Sequence, residues 1–475
     1  MQFSLGNSYT LVTNATPEEE ALLHEWCNKE FEYYGLDFSQ RPPRRSKMSS
    51  NLPYFKYNKF PSGWTGKFIK RLKHDSRYEA YGDRLTFKDV RTKPISHNWD
   101  VSTTTIPPLR DYQDRALLKS LQSTRGIIHH ATGAGKTIVT AAILKELGLP
   151  SLIIVPTLNL LLQTSDDLKG FLGEEYVGEI GEGAFDPQLF TVATVQSLWS
   201  RIKRDDPDLS TLFKKIDVLC IDEAHHINVA GKNKIQNTYF KIATMLDCYY
   251  KFGLTATPGD ENSLERELLE GATGRVIDHV SSSSLIKRGL LTRPVIQMYK
   301  ITPPQRYSDW QVAYRENVLK NARRNALIVQ LAERFAKENK SVLITVTRVA
   351  EHGGTLNDLI EQAVFMSGQT PSDERKQILE DFGSKKNKIL ISTVVNEGVN
   401  IPSMDVIIMA GGGKSNKQTV QRVGRALRKA EGKHKATIID FYDADNGMLE
   451  RHSKARLKTY KKESEFEIKE IIDWG

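Results

Sequence analysis

The stretch Ala131-Thr132-Gly133-Ala134-Gly135-Lys136-Thr137 constrains this chain more than any other. The apolar run Gly126-Ile127-Ile128 before it reads as a buried strand, and Ile138 to Leu147 after it reads as a helix ending near Gly148. A glycine-rich turn between a strand and a helix N-terminus aims several backbone N–H groups at one point, where the helix dipole also favours an anion. Lys136 is then placed for the β- and γ-phosphates of a nucleoside triphosphate, and the Thr137 hydroxyl for Mg²⁺. The strict phosphate-loop pattern has glycine where His130 stands.

Strand-like and helix-like segments alternate through the rest of the chain, which predicts parallel sheets with crossover helices. Strands are expected at 126–131, 151–155, 190–193, 216–221 and 250–254. After a break around Ser281–Pro294 they are expected again near 341–346, 362–366, 388–392, 405–409 and 436–441. In such sheets ligands gather outside the carboxyl ends of the strands. Asp222-Glu223-Ala224-His225 follows one of these strands, with Asp222 placed to hold Mg²⁺ and Glu223 to orient and deprotonate a water. Thr255-Ala256-Thr257 ends the next, and its hydroxyls are suited to relay a change of ligand state. The second α/β unit has no phosphate loop. It carries Gln421-Arg422-Val423-Gly424-Arg425-Ala426-Leu427-Arg428, in which Arg425 and Arg428 share a helix face and can stabilise charge on a γ-phosphate. Thr393 to Pro402 forms a further strand-end turn at Gly398.

A chain of 475 residues has room for about three domains of ~150 residues. Its net charge of +9 favours a polyanionic partner. From Arg41 to Lys73 there is no acidic residue. Arg44, Arg45, Lys56, Lys59, Lys67, Lys70 and Arg71 interleave there with Tyr54, Phe55, Tyr57, Phe60, Trp64 and Phe68. Cations release counterions from phosphates and aromatic rings stack on exposed bases, so nucleic-acid contact is expected, with some of the aromatics forming a small core, against the plainer alternative of a small domain with a solvated basic face. Thr16-Pro17-Glu18-Glu19 announces a helix through a capping box. The basic tail Arg451–Lys462, which includes Arg456, with Leu457, Tyr460, Phe466 and Ile468 reads as a helix packed on the rest of the chain, and equally as a solvated helix or a DNA contact. Cys27, Cys220 and Cys248 lack metal-ligand spacing and read as reduced thiols. No leader and no apolar stretch of ~20 residues is seen, and a soluble, cytoplasmic protein is expected, in the host cytoplasm if the chain is phage-encoded.

Taken in order, these residues resemble the motifs of superfamily 2 helicases and translocases from about Leu109 to Phe441. The resemblance implies an α/β fold: two tandem RecA-like parallel-sheet domains at 101–285 and 286–450, behind a small α+β domain at 1–100 and before a tail at 451–475. It implies ATP as cofactor, with Arg110 and Gln113 at the adenine, Thr132 to Thr137 with Glu397 and Gly398 around the nucleotide, and Mg²⁺ on Thr137 and Asp222. Lys136, Asp222, Glu223, Gln421, Arg425 and Arg428 would be catalytic. Pro156, Thr157, Thr194, Gln196, Thr347, Arg348, Gly368 and Thr393 would touch nucleic acid. Asn400 departs from the family pattern, which often has an acid there. Asp-Glu-Ala-His, and the lack of Arg-Glu-Leu after Thr157, argue against a DEAD-box RNA remodeller. The junction Leu285–Pro294 is similar to that of double-stranded-DNA translocases, restriction motors and phage branch-migration helicases, and the segment Leu52–Lys70 resembles the N-terminal domain of phage UvsW-type recombination helicases. That finer resemblance implies a monomer acting on branched, forked or duplex DNA, with an RNA–DNA hybrid as a further substrate. A duplex translocase and an RNA-dependent ATPase are the alternatives.

Overall fold

The computed structural model describes residues 1–30, 32–37, 44–49, 58–74, 85–95, 99, 102, 104–228, 238–261, 263–303, 305–393, 404–413, 423–424, 427, 433, 435–444 and 447–474, with backbone alone at 26–30, 32–37, 44–49, 71–74 and 372. It divides into two compact units, one of residues 1–130 and 135–279, the other of 131–134 and 280–475.

The first unit is built on an eight-stranded sheet. Its order is Ala184–Asp186, Val177–Gly181, Phe190–Thr194, Ser151–Val155, Val218–Ile221, Tyr250–Thr255, Arg125–His130 and Val276–Val280. Pairing from Val177–Gly181 through Arg125–His130 is parallel, and only the short edge strand Ala184–Asp186 is described as antiparallel. The strands Ser151–Val155, Phe190–Thr194, Val218–Ile221 and Tyr250–Thr255 are buried along their whole length, as expected of a sheet covered on both faces. One face packs on Val139, Ile143 and Leu144 of the helix Lys136–Leu147. The other packs on Leu198, Ile242, Leu268 and Leu269.

That second face also receives the N-terminal segment. A four-stranded sheet, ordered Lys59–Pro61, Tyr9–Thr13, Gln2–Leu5 and Thr86–Asp89, carries the helices Pro17–Glu30 and Thr65–His74. The capping box predicted at Thr16 is present: Thr16 N–H donates to Glu19 Oε2 at 2.8 Å and Glu19 N–H to Thr16 Oγ1 at 3.3 Å. Phe60, Trp64 and Phe68 are buried, as expected for some of the aromatics of the basic stretch. Phe60 and Phe68 meet edge to face at 4.7 Å. Trp64 Nε1 donates to Glu267 O at 2.9 Å and its ring lies against Gly271. Trp64 is therefore a docking anchor and is corrected as a nucleic-acid contact, because a base has no access to a ring 1% exposed. Lys67 pairs with Glu267, Lys59 lies over the Tyr9 ring at 4.6 Å, and Lys70 is exposed.

The second unit holds another parallel sheet, ordered Ala363–Met366, Ile389–Ser392, Val342–Thr345, Val406–Ile408, Lys435–Asp443, Arg293–Ile301 and Glu467–Ile468. The break expected around Ser281–Pro294 is instead a helix, Ser282–Lys287, followed by the nine-residue strand Arg293–Ile301. Pro294 sits at that strand's start, where the loss of a donor is tolerated. The helix Gly447–Lys461 packs on the strand Lys435–Asp443 through a buried ionic network. Arg456 Nε donates to Asp440 Oδ2 at 2.9 Å, its Nη1 to Gly413 O at 2.6 Å, and Tyr460 Oη to Asp440 Oδ2 at 2.7 Å. Arg456 is thus neither solvated nor available to DNA. Burial works against its charge, but Asp440 more than compensates and raises its pKa.

The N-terminal segment is held by close backbone approach. A Cβ on Gly63 would lie 1.9 Å from Glu270 O. Gly63→Ala is therefore expected to lower stability by about 1–3 kcal/mol and to accelerate proteolytic loss of residues 1–90, read by thermal unfolding and timed limited digestion.

Candidate active site

The predicted strand–turn–helix is present. Arg125–His130 leads through the turn into Lys136–Leu147, which ends at Gly148, whose N–H donates to Leu144 O at 2.9 Å. Gly133 and Gly135 take φ of +83° and +77°, a left-handed conformation that glycine adopts without a Cβ penalty. Ala134 N–H donates back to Ala131 O at 3.1 Å. Gln113 braces the end of the turn: its Oε1 accepts from Arg110 N–H at 3.0 Å and its Nε2 donates to Gly135 O at 3.5 Å. A Cβ on Gly135 would lie 2.6 Å from Gln113 Nε2. Arg110 Nη1 donates to Tyr112 Oη at 3.0 Å.

His130 explains the departure from the strict glycine pattern. It is fully buried, and its Nε2 lies 2.8 Å from Asp278 Oδ2. Arg115 Nε donates to Asp278 Oδ1 at 2.7 Å and Lys119 Nζ at 2.9 Å. Burial alone would raise the Asp278 pKa, but hydrogen bonds from His130, Arg115 and Lys119 outweigh it and hold the carboxyl well below the usual range. Burial lowers the His130 pKa despite Asp278. The cluster ties the strand entering the phosphate turn to the neighbouring strand Val276–Val280 and to the helix Asp111–Ser123. It escaped the sequence reading because Asp278 lies 148 residues from His130; only a polar residue inside a strand-like run hinted at it.

Asp222 and Glu223 stand directly after Val218–Ile221. Asp222 N–H donates to Ile154 O at 3.0 Å, and its Oδ1 accepts from Glu223 N–H at 2.9 Å. Burial and then the Glu223 charge push the Asp222 pKa up to about 6, with Lys136 partly opposing them. A carboxylate so destabilised by burial and a neighbouring charge would be favoured by a cation, and Asp222 and the Thr137 hydroxyl are oxygen donors of the kind that would hold Mg²⁺. Glu223 has φ +44°, a conformation that costs a non-glycine residue about 1–3 kcal/mol. His225 Nδ1 lies 3.3 Å from Glu223 Oε2 and 3.1 Å from Thr255 Oγ1, which also accepts from Thr257 N–H at 3.1 Å. His225 and the Thr255 strand end are therefore hydrogen-bonded together, with the Glu223 carboxylate close beside the His225 ring. Cys220 and Cys248 are buried free thiols, their pKa values raised to about 12 by burial.

Pro156, Thr157, Thr194 and Gln196 come together at the carboxyl ends of two adjacent strands. Thr157 Oγ1 caps the helix Leu158–Leu172 by accepting from Leu160 N–H, and Thr194 caps Val195–Ile202 by accepting from Ser197 N–H. Gln196 Nε2 donates to Pro156 O at 2.9 Å. In the second unit Thr347, Arg348, Gly368 and Thr393 follow the carboxyl ends of three parallel strands. Arg348 and Gly368 are exposed, and Thr347 bonds to Tyr314, whose Oη donates to Gly411 O at 2.6 Å. Glu397, Gly398, Gln421, Arg425, Arg428 and Lys56 lie outside the described residues, and Arg44, Arg45 and Arg71 outside the described side chains.

Residues 106–260 match the family described as "Type III restriction enzyme, res subunit", and residues 322–430 match the "Helicase conserved C-terminal domain". The chain belongs to the superfamily 2 helicases and translocases. Members of this superfamily use ATP, in line with the resemblance drawn from the motifs. The chain is 27% identical over 413 residues to DNA 3'-5' translocase XPB2 of Sulfurisphaera tokodaii, covering 76% of this chain and 90% of that protein. It is 24% identical over 454 residues to ATP-dependent DNA helicase uvsW of Enterobacteria phage T4, covering 90% of this chain and 88% of that protein. Among solved structures, the ATP-dependent Type ISP restriction-modification enzyme LlaBIII bound to DNA is similar in fold, with a TM-score of 0.55 at 17% identity over 86% of this chain and 34% of that one. Among the described residues no helix is long and apolar enough to cross a membrane.

Because the folded-state pKa of Asp278 is depressed, the stability it contributes is complete above the unfolded value near 4 and is lost as the pH falls below it. Asp278→Asn is expected to melt earlier than wild type at pH 7, with the gap narrowing below about pH 4. Thermal midpoints across pH 3–7 check this.

Proposed function

We propose that the chain is an ATP-driven motor that remodels branched DNA. The observation that carries the reading is the grouping of Lys136, Asp222, Glu223 and His225 in one unit with the strand-end residues Thr157, Thr194 and Gln196. The printed names of the relatives, a DNA translocase and a DNA helicase, support DNA as the polymer.

In this reading the turn Thr132 to Gly135 presents backbone N–H groups to the phosphates, and Lys136 neutralises their charge. Mg²⁺ held by Thr137 and Asp222 would supply charge neutralisation on the β- and γ-phosphate oxygens. Glu223 orients the attacking water and accepts its proton, with the His225 ring beside its carboxylate. Gln113 and Arg110 stand for the adenine. Gln421, Arg425 and Arg428, with Glu397 and Gly398, are assigned to nucleotide contact and transition-state stabilisation on the strength of the motif resemblance. Thr347, Arg348, Gly368 and Thr393 extend the nucleic-acid contacts to the second unit, and the basic residues Arg44, Arg45, Lys56, Lys70 and Arg71 add an electrostatic hold on DNA.

A duplex translocase that moves without separating strands is the second reading, favoured by the printed name of the 27% identical relative. Fork regression and junction migration distinguish it from the first reading, since a simple translocase displaces a triplex strand but leaves a four-way junction intact. ATPase rates with RNA, single-stranded, duplex, forked and four-way DNA test both. The branched-DNA reading expects the largest stimulation with forks or junctions. Lys136→Ala is expected to lower ATP turnover at least ~100-fold. Glu223→Gln should retain ATP binding while lowering turnover by about 10²–10⁴, measured by phosphate release and nucleotide titration. Normal turnover in either variant would refute the site.

A further inference from the structure

The helix Val195–Ile202 presents one large aromatic ring that neither the ATP-site geometry nor the strand-end caps use. Trp199 is half-buried, and the ammonium groups of Lys203 and Lys241 lie 6.0 and 5.4 Å from its ring centroid. These are long cation–π contacts, and both lysines are otherwise exposed, so their charges remain available to an anion. Gln196, Trp199, Lys203, His226, Asn228 and Tyr239 line a cavity of about 440 Å³ beside the ring. An aromatic ring with two cations over it, one of them (Lys203) in the cavity wall, and amide groups along that wall match a nucleobase with its flanking phosphates. A purely apolar partner would gain nothing from the lysines.

The cavity wall runs to the hydrolytic carboxylate. Tyr239 stacks on His226 with ring centroids 5.6 Å apart and an interplanar angle of 18°. His226 stacks on His225 at 4.7 Å and 30°. His225 Nδ1 lies 3.3 Å from Glu223 Oε2. Three rings in contact thus connect the cavity to the residue assigned to activate water. Gln196, which lines the cavity, also bonds to Pro156 O at the neighbouring strand end.

We propose that this cavity receives one unpaired base of single-stranded DNA, stacked on Trp199, and that its occupancy is felt at Glu223 through Tyr239, His226 and His225. The inference rests on the reading of the chain as a DNA-dependent ATPase and adds a base-sensing site to it. Backbone contacts at strand ends follow the strand regardless of its bases; stacking requires a base.

The test uses the full-length protein and two labelled probes, a thymidine oligonucleotide and an abasic strand of equal length. Wild type is expected to bind the thymidine strand about tenfold more tightly. Trp199→Leu, which keeps apolar bulk without a π face, should bind both strands alike and show a reduced ratio of DNA-stimulated to DNA-free ATPase. Trp199→Phe should retain most of the discrimination, which a merely structural role for the ring does not predict. Lys203→Ala with Lys241→Ala should weaken both strands equally and flatten the salt dependence. Full discrimination and full stimulation in Trp199→Leu overturn the base site alone. So does a wild-type protein that DNA stimulates but that binds the two strands alike. A wild type whose ATPase no DNA stimulates overturns the parent reading and the base site with it.

Discussion

A parallel sheet brings the carboxyl ends of all its strands to one edge, and in each unit this decides where chemistry can be placed. The residues that follow Arg125–His130, Ser151–Val155, Phe190–Thr194, Val218–Ile221 and Tyr250–Thr255 are distant in sequence but share that edge. Lys136, Thr157, Thr194, Asp222 and Thr255 owe their proximity to the ladder. The cost is that strands buried on both faces tolerate few polar groups, so the charged residues at this edge need partners. Asp222 takes Glu223 N–H, and Asp278 takes His130, Arg115 and Lys119.

The Asp278 cluster shows how a departure from a motif is compensated. A glycine at position 130 would leave a buried carboxylate without one of its donors, and an under-satisfied buried charge costs several kcal/mol. With His130 in place, the strand entering the phosphate turn is tied to its edge neighbour before the turn begins. The second unit uses the same device at Arg456 and Asp440, where a buried ion pair with Tyr460 secures the helix Gly447–Lys461 to the sheet. In both cases charged groups are internal ties between elements distant in sequence.

Much of the candidate site's local structure was legible because its signals are local. A strand, two glycines and a lysine at a helix start span about a dozen residues, and the backbone conformations at Gly133 and Gly135 follow from that order. The strands expected at 151–155, 190–193 and 250–254 are found within a residue of those bounds, since continuous apolar runs between turn signals admit little else. Arg293–Ile301 was missed because Pro294 reads as a breaker, whereas at a strand's first turn its missing N–H goes unnoticed. Trp64 was misread because basic and aromatic residues interleave equally in a nucleic-acid surface and in a small domain with a charged exterior. Its partner Glu267 lies 203 residues away.

The sequence by itself determined the superfamily, the alternation of strands and helices, and the strand–turn–helix at Lys136, because each depends on residues a few positions apart. Only the tertiary structure decided which charges are buried and which rings are sealed. It turned Arg456 inward, set Trp64 against Gly271, and left Trp199 half open between two lysines. Burial is a property of what the chain brings back from far away, and no local pattern of residue types encodes it.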